Sequence, residues 1–428
     1  MRAQAWGVKL LKKHGRPKWR ALKTQGLGQS ITDEISRVRL SSTDIFSYAL
    51  VASAASVASR TATTSQYLDY AASCRLKSIH YLKKKLADPD TFLNLESMEH
   101  INSACEAEIY AGNMDGARGH MLWLNQLCMK YLERQPLDRM MLLHLANDFY
   151  HDVQIAMITM QRMVFGVHNW MPNAIADALK LASQCLPSWM HDVSNKFNAA
   201  IDEDLHGLLL DRRKCSRLWM EKVNERILYP EMVYFHSLMT GGVHFGRILD
   251  RYLTYKAMVP SPERSITRIY LQQHLLLSIL YWMYVCGREV YLGDRLLFDG
   301  TSLLFQQLRH SLEAASTQLT PEECTKEYNA TKLYAMYTGA FYEQRQRLRH
   351  PKAAKSNWFN EHLAVYARTT GFHTWPAIEA TVETFLYYPS LAPRGDTWFE
   401  KAINIYGSGA EIEVLVKQED DHYTDSKL

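Results

Sequence analysis

The sequence predicts an all-α protein, a large multi-helix domain of packed antiparallel helices, on three observations. Gly (20) and Pro (13) are sparse over 428 residues, which argues against the many turns of an all-β fold. Apolar residues recur at steps of three and four, the spacing of one helix face. The periodic stretches are separated by residues that start or stop helices.

The block 94–172 shows all three. Leu95, Met98, Ile101, Cys105 and Ile109 line one side of a first helix. Gly112-Asn113 ends it, since both residues tolerate a left-handed cap. Asp115 is the expected cap of a second helix, with Met121, Leu124, Cys128 and Tyr131 along one side. Gln135-Pro136 breaks that helix, and Asp138 opens a third carrying Leu142, Leu145, Phe149, Val153 and Met160. Each apolar face must be buried, so the block predicts the core that the remaining helices wrap.

The flanking elements follow the same logic. Ser42-Thr43-Asp44 caps an Ala-rich helix to about residue 60, whose Ala49, Ala52, Ala55 and Ala58 permit close packing. A second helix spans 65–86, with Tyr67, Tyr70, Cys74, Ile79 and Leu82 as its buried side. Beyond Pro172, helices are expected over 173–186, 188–210 and 214–227, with breaks at Tyr229-Pro230 and Gly241-Gly242. Ser261-Pro262-Glu263 is a start signal in the best sub-boundary, 259–262. The helix after it contains the most apolar run, 275–286. Thr320-Pro321-Glu322-Glu323 adds a capping box before a helix to 349 with Leu333, Met336, Tyr337, Ala340 and Phe341. Helices at 358–369, closed by Gly371, from Thr374-Trp375-Pro376, and from Asp396 complete the chain. Residues 411–416 alternate apolar and polar and predict one short strand. The organisation is then a basic arm (1–40), a helical domain (41–408) and an acidic tail (409–428), with no fixed-period repeat.

Composition limits the function classes. A net charge of +4 is too small to mark a nucleic-acid binder by bulk electrostatics. The seven cysteines are scattered, with no CxxC, so neither a disulfide framework nor a structural zinc site is signalled. The run 275–286 is too short to cross a bilayer, so no membrane partner is expected. Residues 1–30 hold eight Lys or Arg and no acid. Lys12, Lys13, Arg16, Lys18 and Arg20 are its densest part, and Gly15-Arg16-Pro17 is similar to the core of a minor-groove AT-hook. A nuclear-import patch, an organelle presequence and a solvated arm are its other readings. Ser426-Lys427-Leu428 matches a peroxisomal import signal at a free C-terminus, although Asp420, Asp421 and Asp425 stand close by.

No catalytic motif stands out. His144, Asp148, His151 and Asp152 share one helix face at ligand-like spacing. The apolar stripe runs beside them, so a solvated or capping polar face is the expectation there, with no metal and no cofactor. Gly241-Gly242-Val243-His244-Phe245-Gly246 lacks phosphate-loop spacing and is expected to be a flexible helix break. The Trp and Tyr residues are expected to fill the helical core, with a pocket among them as the other reading.

The order of landmarks resembles the fungal-specific transcription factor domain, over about 42–405. Three places carry the resemblance. The first is the Ala-rich helix followed by Tyr67-Leu68-Asp69-Tyr70-Ala71-Ala72 and Ser78-Ile79-His80-Tyr81-Leu82. The second is 106–127, with Gly119-His120-Met121 before Leu124, and then 138–170. The third is Ala340-Phe341-Tyr342-Glu343-Gln344-Arg345, Trp358, Gly371-Phe372-His373-Thr374-Trp375 and Trp398-Phe399, in that order. The family's binuclear zinc cluster needs closely spaced cysteines, and none precedes Cys74; a cluster encoded upstream of Met1 is one account. The resemblance implies a non-enzymatic regulatory protein without its own DNA-reading module. It would act in the nucleus through other regulators, through itself as a homodimer, or through a small effector, with only weak or indirect DNA contact. A helical scaffold, or an enzyme with a pocket in the C-terminal third, is the alternative, as are cytoplasm or peroxisome for location.

Overall fold

A computed structural model describes residues 66–86, 94–135, 138–220, 230–260, 265–292, 301–349, 356–372, 374–389 and 395–407, with Ala49, Ala52 and Ser56. The basic arm with Lys12, Lys13, Arg16, Lys18 and Arg20 lies outside these residues. So do Ser261, the 411–416 segment and the Ser426-Lys427-Leu428 terminus. The fold is all-α, and no strand occurs among the described residues.

The helices, in chain order, are α1 (Gln66–Leu86), α2 (Leu95–Ala111), α3 (Met114–Arg134), α4 (Arg139–Thr159), α5 (Trp170–Ala174), α6 (Ala176–Gln184) and α7 (Glu203–Met220). They continue with α8 (Pro230–Ala257), α9 (Ile266–Leu292), α10 (Ser302–Gln318), α11 (Lys326–Arg349), α12 (Trp358–Thr370), α13 (Trp375–Val382) and α14 (Gly395–Gly407). The described residues form two compact units, one made of those within 1–194, 210–254 and 283–304 and the other of those within 195–209, 255–282 and 305–428.

In the first unit α2 packs on α1, α3 and α4. Local chemistry sets the ends of these helices. The Asn94 side chain accepts from the Ser97 N–H at 2.8 Å, and Gly112 closes α2 in the left-handed region at φ 83°. The expected cap Asp115 does not cap α3. Asn113 does, accepting from the Gly116 N–H at 3.2 Å, which leaves Asp115 in the first turn, favourable for the helix dipole. Asp138 caps α4 as expected, accepting from the Met141 N–H at 2.7 Å. Ala52, Cys74 and Ala107 form a small cluster that sets Ala52 against α1 and α2.

Two expectations in the middle of the chain are corrected. The helix expected at 188–210 is a single 3-10 turn, Ser188–His191, followed by an irregular stretch. Asp202 then starts α7, accepting from the Leu205 N–H at 3.1 Å, and α7 joins the end of the helix expected at 188–210 to the start of the one expected at 214–227. The glycine run 241–246 is not a break either, because α8 passes through it as continuous helix. A Cβ at Gly242 would lie 2.2 Å from the Phe149 ring, and one at Gly246 would lie 2.7 Å from Val167. These glycines let the α8 backbone approach α4 and the chain that follows it.

The second unit centres on α11, which packs on α12 and α13, while α14 packs on both of those. Its core is aromatic, as expected. Trp282 stacks on Phe341 at 4.9 Å, Tyr334 on Phe385 at 4.5 Å and Phe305 on Tyr342 at 3.9 Å. Two buried polar tips find partners: Trp282 Nε1 donates to Thr338 Oγ1 and the Tyr334 hydroxyl to the Leu386 carbonyl. Glu343 reaches from α11 to the start of α12, accepting from the Phe359 and Asn360 N–H groups at 3.1 and 3.0 Å. The expected capping box at 320–323 opens only a 3-10 turn. Glu323 accepts from Thr320 there, while Thr325 caps α11 through the Tyr328 N–H.

Candidate functional site

The polar strip of α4 is the chemically richest place in the first unit. Four residues from His144 to Asp152 fall on one side because helical neighbours recur at three and four. The expectation of a solvated or capping face there is wrong: His144, Asp148, His151 and Asp152 are all buried, the two aspartates fully. The reason lies in the packing. Helix α4 is enclosed by α2 and α3, and the chain after it folds back over its last turns, so both its faces are covered.

Each buried group meets a partner from another segment. Helix α2 contributes Glu99 and Asn102. His144 Nδ1 lies 3.0 Å from Glu99 Oε1, and His151 Nδ1 lies 2.7 Å from Asn102 Oδ1. An amide oxygen only accepts, so this assignment places the His151 proton on Nδ1. Asp152 accepts from the backbone N–H groups of Val164 and Phe165 at 3.1 and 2.8 Å and so pins the returning chain. Arg118 of α3 supports the same return by donating to the Arg162 carbonyl at 2.9 Å.

Cys128 of α3 completes the strip. His144 Nε2 lies 3.1 Å from Asp148 Oδ2, and the Cys128 sulfur lies 3.9 Å from the same oxygen. One sulfur, one imidazole nitrogen and one carboxylate oxygen thus lie within 4.8 Å of one another, all buried. Asp148 Oδ1 has no hydrogen-bond partner among the described residues.

Burial governs the electrostatics. It pushes the Asp148 carboxyl up to about 7, with His144 acting against the shift and Glu99 adding to it. It also pushes Asp152 up to about 7, against the two backbone donors. The Cys128 thiol is held well above its ordinary value by burial and then by Asp148. A thiol held protonated is a poor nucleophile, so the arrangement does not suit covalent catalysis by Cys128. It suits holding a proton, or a cation, among three converging donors.

Sequence reasoning placed His144, Asp148, His151 and Asp152 on one face but assigned the wrong environment. It missed Glu99 and Asn102, and it took Cys128 as apolar filling only. A signal was present: Glu99, Asn102 and Glu106 repeat at three and four on α2, matching the spacing of the strip on α4. Comparison with family models, with curated proteins and with solved structures finds no match for this chain.

Among the described residues no helix is long and apolar enough to cross a membrane. The Gly241–Gly246 run lies within α8 against Phe149 and Val167, not around a ligand cradle.

Proposed function

We propose that this chain is a regulatory protein similar to the helical region of fungal zinc-cluster transcription factors. The observation that carries the reading is the order of its landmarks. An Ala-rich stretch with the helix after it, the 94–172 block and the Trp-punctuated C-terminal helices follow one another as in that family. An all-α architecture is compatible with it.

Two features support action through contacts rather than chemistry. The aromatic side chains of the C-terminal third spend their faces on one another, Trp282 on Phe341 and Tyr334 on Phe385 among them. On α3, Leu122, Trp123 and Met129 are exposed, with Leu122 and Met129 two turns apart on one line. Exposed apolar side chains grouped in this way are a basis for protein contacts, with another regulator or a second copy of the chain. The basic arm around Lys12, Lys13, Arg16, Lys18 and Arg20 supplies nuclear import or weak attraction to DNA.

The test has two arms. The chain is tethered to an unrelated DNA-binding domain upstream of a reporter, and a fluorescent fusion at its N-terminus is imaged with Ser426-Lys427-Leu428 left free. A change in reporter output together with nuclear fluorescence is expected. An unchanged reporter, with fluorescence confined to peroxisomes or cytoplasm, overturns the proposal.

A further inference from the structure

We infer that Cys128, His144 and Asp148 form a binding site for a divalent metal ion of the zinc class. The inference stands apart from the regulatory reading and uses none of its support.

The donor set suits such an ion. A thiolate, an imidazole and a carboxylate together are the ligand types that borderline first-row ions select, and zinc uses all three. The spacing suits it as well. Around a tetrahedral ion with ordinary zinc bond lengths, N and O ligand atoms lie roughly 3.3 Å apart and S and O roughly 3.6 Å apart. Here His144 Nε2 and Asp148 Oδ2 are 3.1 Å apart, and Cys128 Sγ and Asp148 Oδ2 are 3.9 Å apart. Three donors leave one of four positions for a ligand from outside the set.

Glu99 Oε1 lies 3.0 Å from His144 Nδ1. A carboxylate there holds the proton on Nδ1 and turns the Nε2 lone pair toward Asp148 and Cys128. That is the carboxylate–histidine arrangement which orients metal-bound imidazoles. A bare Nε2 facing a carboxylate oxygen at 3.1 Å brings two acceptors together, and only a proton or a cation between them relieves the repulsion. Asp148 Oδ1 is fully buried and without a hydrogen-bond partner among the described residues. A buried carboxylate is costly unless paired, and a dication beside it supplies the pairing. A competing thiol, Cys105, is committed elsewhere, donating to the Ala117 carbonyl at 3.4 Å.

Binding is a ligand exchange without redox change. The Cys128 S–H bond breaks, the metal–sulfur bond forms, and the proton leaves to solvent. The Asp148 carboxyl, where protonated, releases its proton in the same way.

The experiment uses the full chain, unfolded in urea with chelator and refolded with cobalt(II) present, because a closed site fills as the chain folds. Cobalt reports a thiolate ligand by a charge-transfer band. About one equivalent of cobalt retained after gel filtration, with that band and with displacement by zinc, is expected. Cys128→Ser loses the band, Asp148→Asn weakens affinity at least tenfold as a lost ligand should, and Cys105→Ser keeps both. Circular dichroism confirms that each variant folds. A wild-type chain that retains no cobalt overturns the site, whatever the variants do, and leaves the strip as a proton-sharing network. A band that survives in Cys128→Ser overturns it as well, by moving the metal elsewhere.

Discussion

Alanine at Gly242 separates two accounts of the glycine run by the sign of one measurement. Were the run a flexible break, alanine would stabilise α8 by about 1 kcal/mol, the difference in helix propensity. The structure demands the opposite. A Cβ on Gly242 would lie 2.2 Å from Cδ1 and 2.5 Å from Cε1 of Phe149, a side chain itself buried in the core of the first unit. Phe149 also meets Phe165 edge-on at 5.7 Å, so it has little room to turn aside. Overpacking of this kind costs about 1 to 3 kcal/mol, and more where the neighbour is rigid, which outweighs the propensity gain. Gly242→Ala is therefore expected to destabilise by about 1 to 2 kcal/mol net. Gly207, in α7, is the control: nothing lies within 4 Å of its Cβ position, so Gly207→Ala is expected to stabilise by about 0.5 to 1 kcal/mol. Urea unfolding followed by circular dichroism measures both, as shifts of the midpoint at unchanged slope. A Gly242→Ala chain as stable as Gly207→Ala would refute the close approach of α8 to α4.

Two further outcomes are expected. Glu343→Ala removes the acceptor of the Phe359 and Asn360 N–H groups and of Asn360 Nδ2 at a buried helix start. It should cost about 2 to 4 kcal/mol, with faster hydrogen exchange in the first turn of α12; a loss under about 0.5 kcal/mol would sink the assignment. His274, fully buried, has its pKa pushed down to about 3, first by burial. Its imidazole stays neutral in the folded chain while the unfolded chain takes up a proton near the ordinary value of 6.5. Stability is thus complete above about pH 6.5 and falls as pH drops toward 3, by about 2 kcal/mol between pH 7 and 5 from this residue alone. Urea unfolding of His274→Gln at both pH values should show its stability deficit shrinking by that amount at pH 5, and a deficit independent of pH contradicts it.

The parts of the fold that were legible are those with local causes. Gly112, Asp138, Gly371 and Trp375-Pro376 mark helix ends through φ preferences and cap hydrogen bonds reaching only a few residues. The apolar stripes were legible too, since Met98, Ile101, Cys105, Met121, Leu124, Leu145 and Phe149 are all buried. What failed depended on neighbours distant in sequence. Nothing local tells Gly242 in a tight helix crossing from Gly in a break; Phe149, 93 positions upstream, decides it. Asp115 and Asn113 are both good caps, and the choice turns on one residue of register. Periodicity measures the contrast between two faces of a helix, not whether the polar face meets water. Helices α2 and α4 carry apolar residues at helical spacing and yet bury both faces, which is why the His144–Asp152 strip was misplaced into solvent.

The two buried aspartates of that strip separate structural from functional accounts of it. Asp152 takes two backbone N–H groups, one on each oxygen, at 3.1 and 2.8 Å. Its role is complete: it closes the chain back onto α4, as Glu343 holds the start of α12. Asp148, one turn earlier, accepts no backbone N–H among its hydrogen bonds. One oxygen faces an imidazole nitrogen and a distant thiol, and the other has no hydrogen-bond partner among the described residues. A carboxylate kept fully buried with so little to offset its desolvation is expensive, and a leucine there would relieve the cost. Packing therefore explains Asp152 and leaves Asp148 unexplained. A cation shared with Cys128 and His144 supplies what the hydrogen bonds do not.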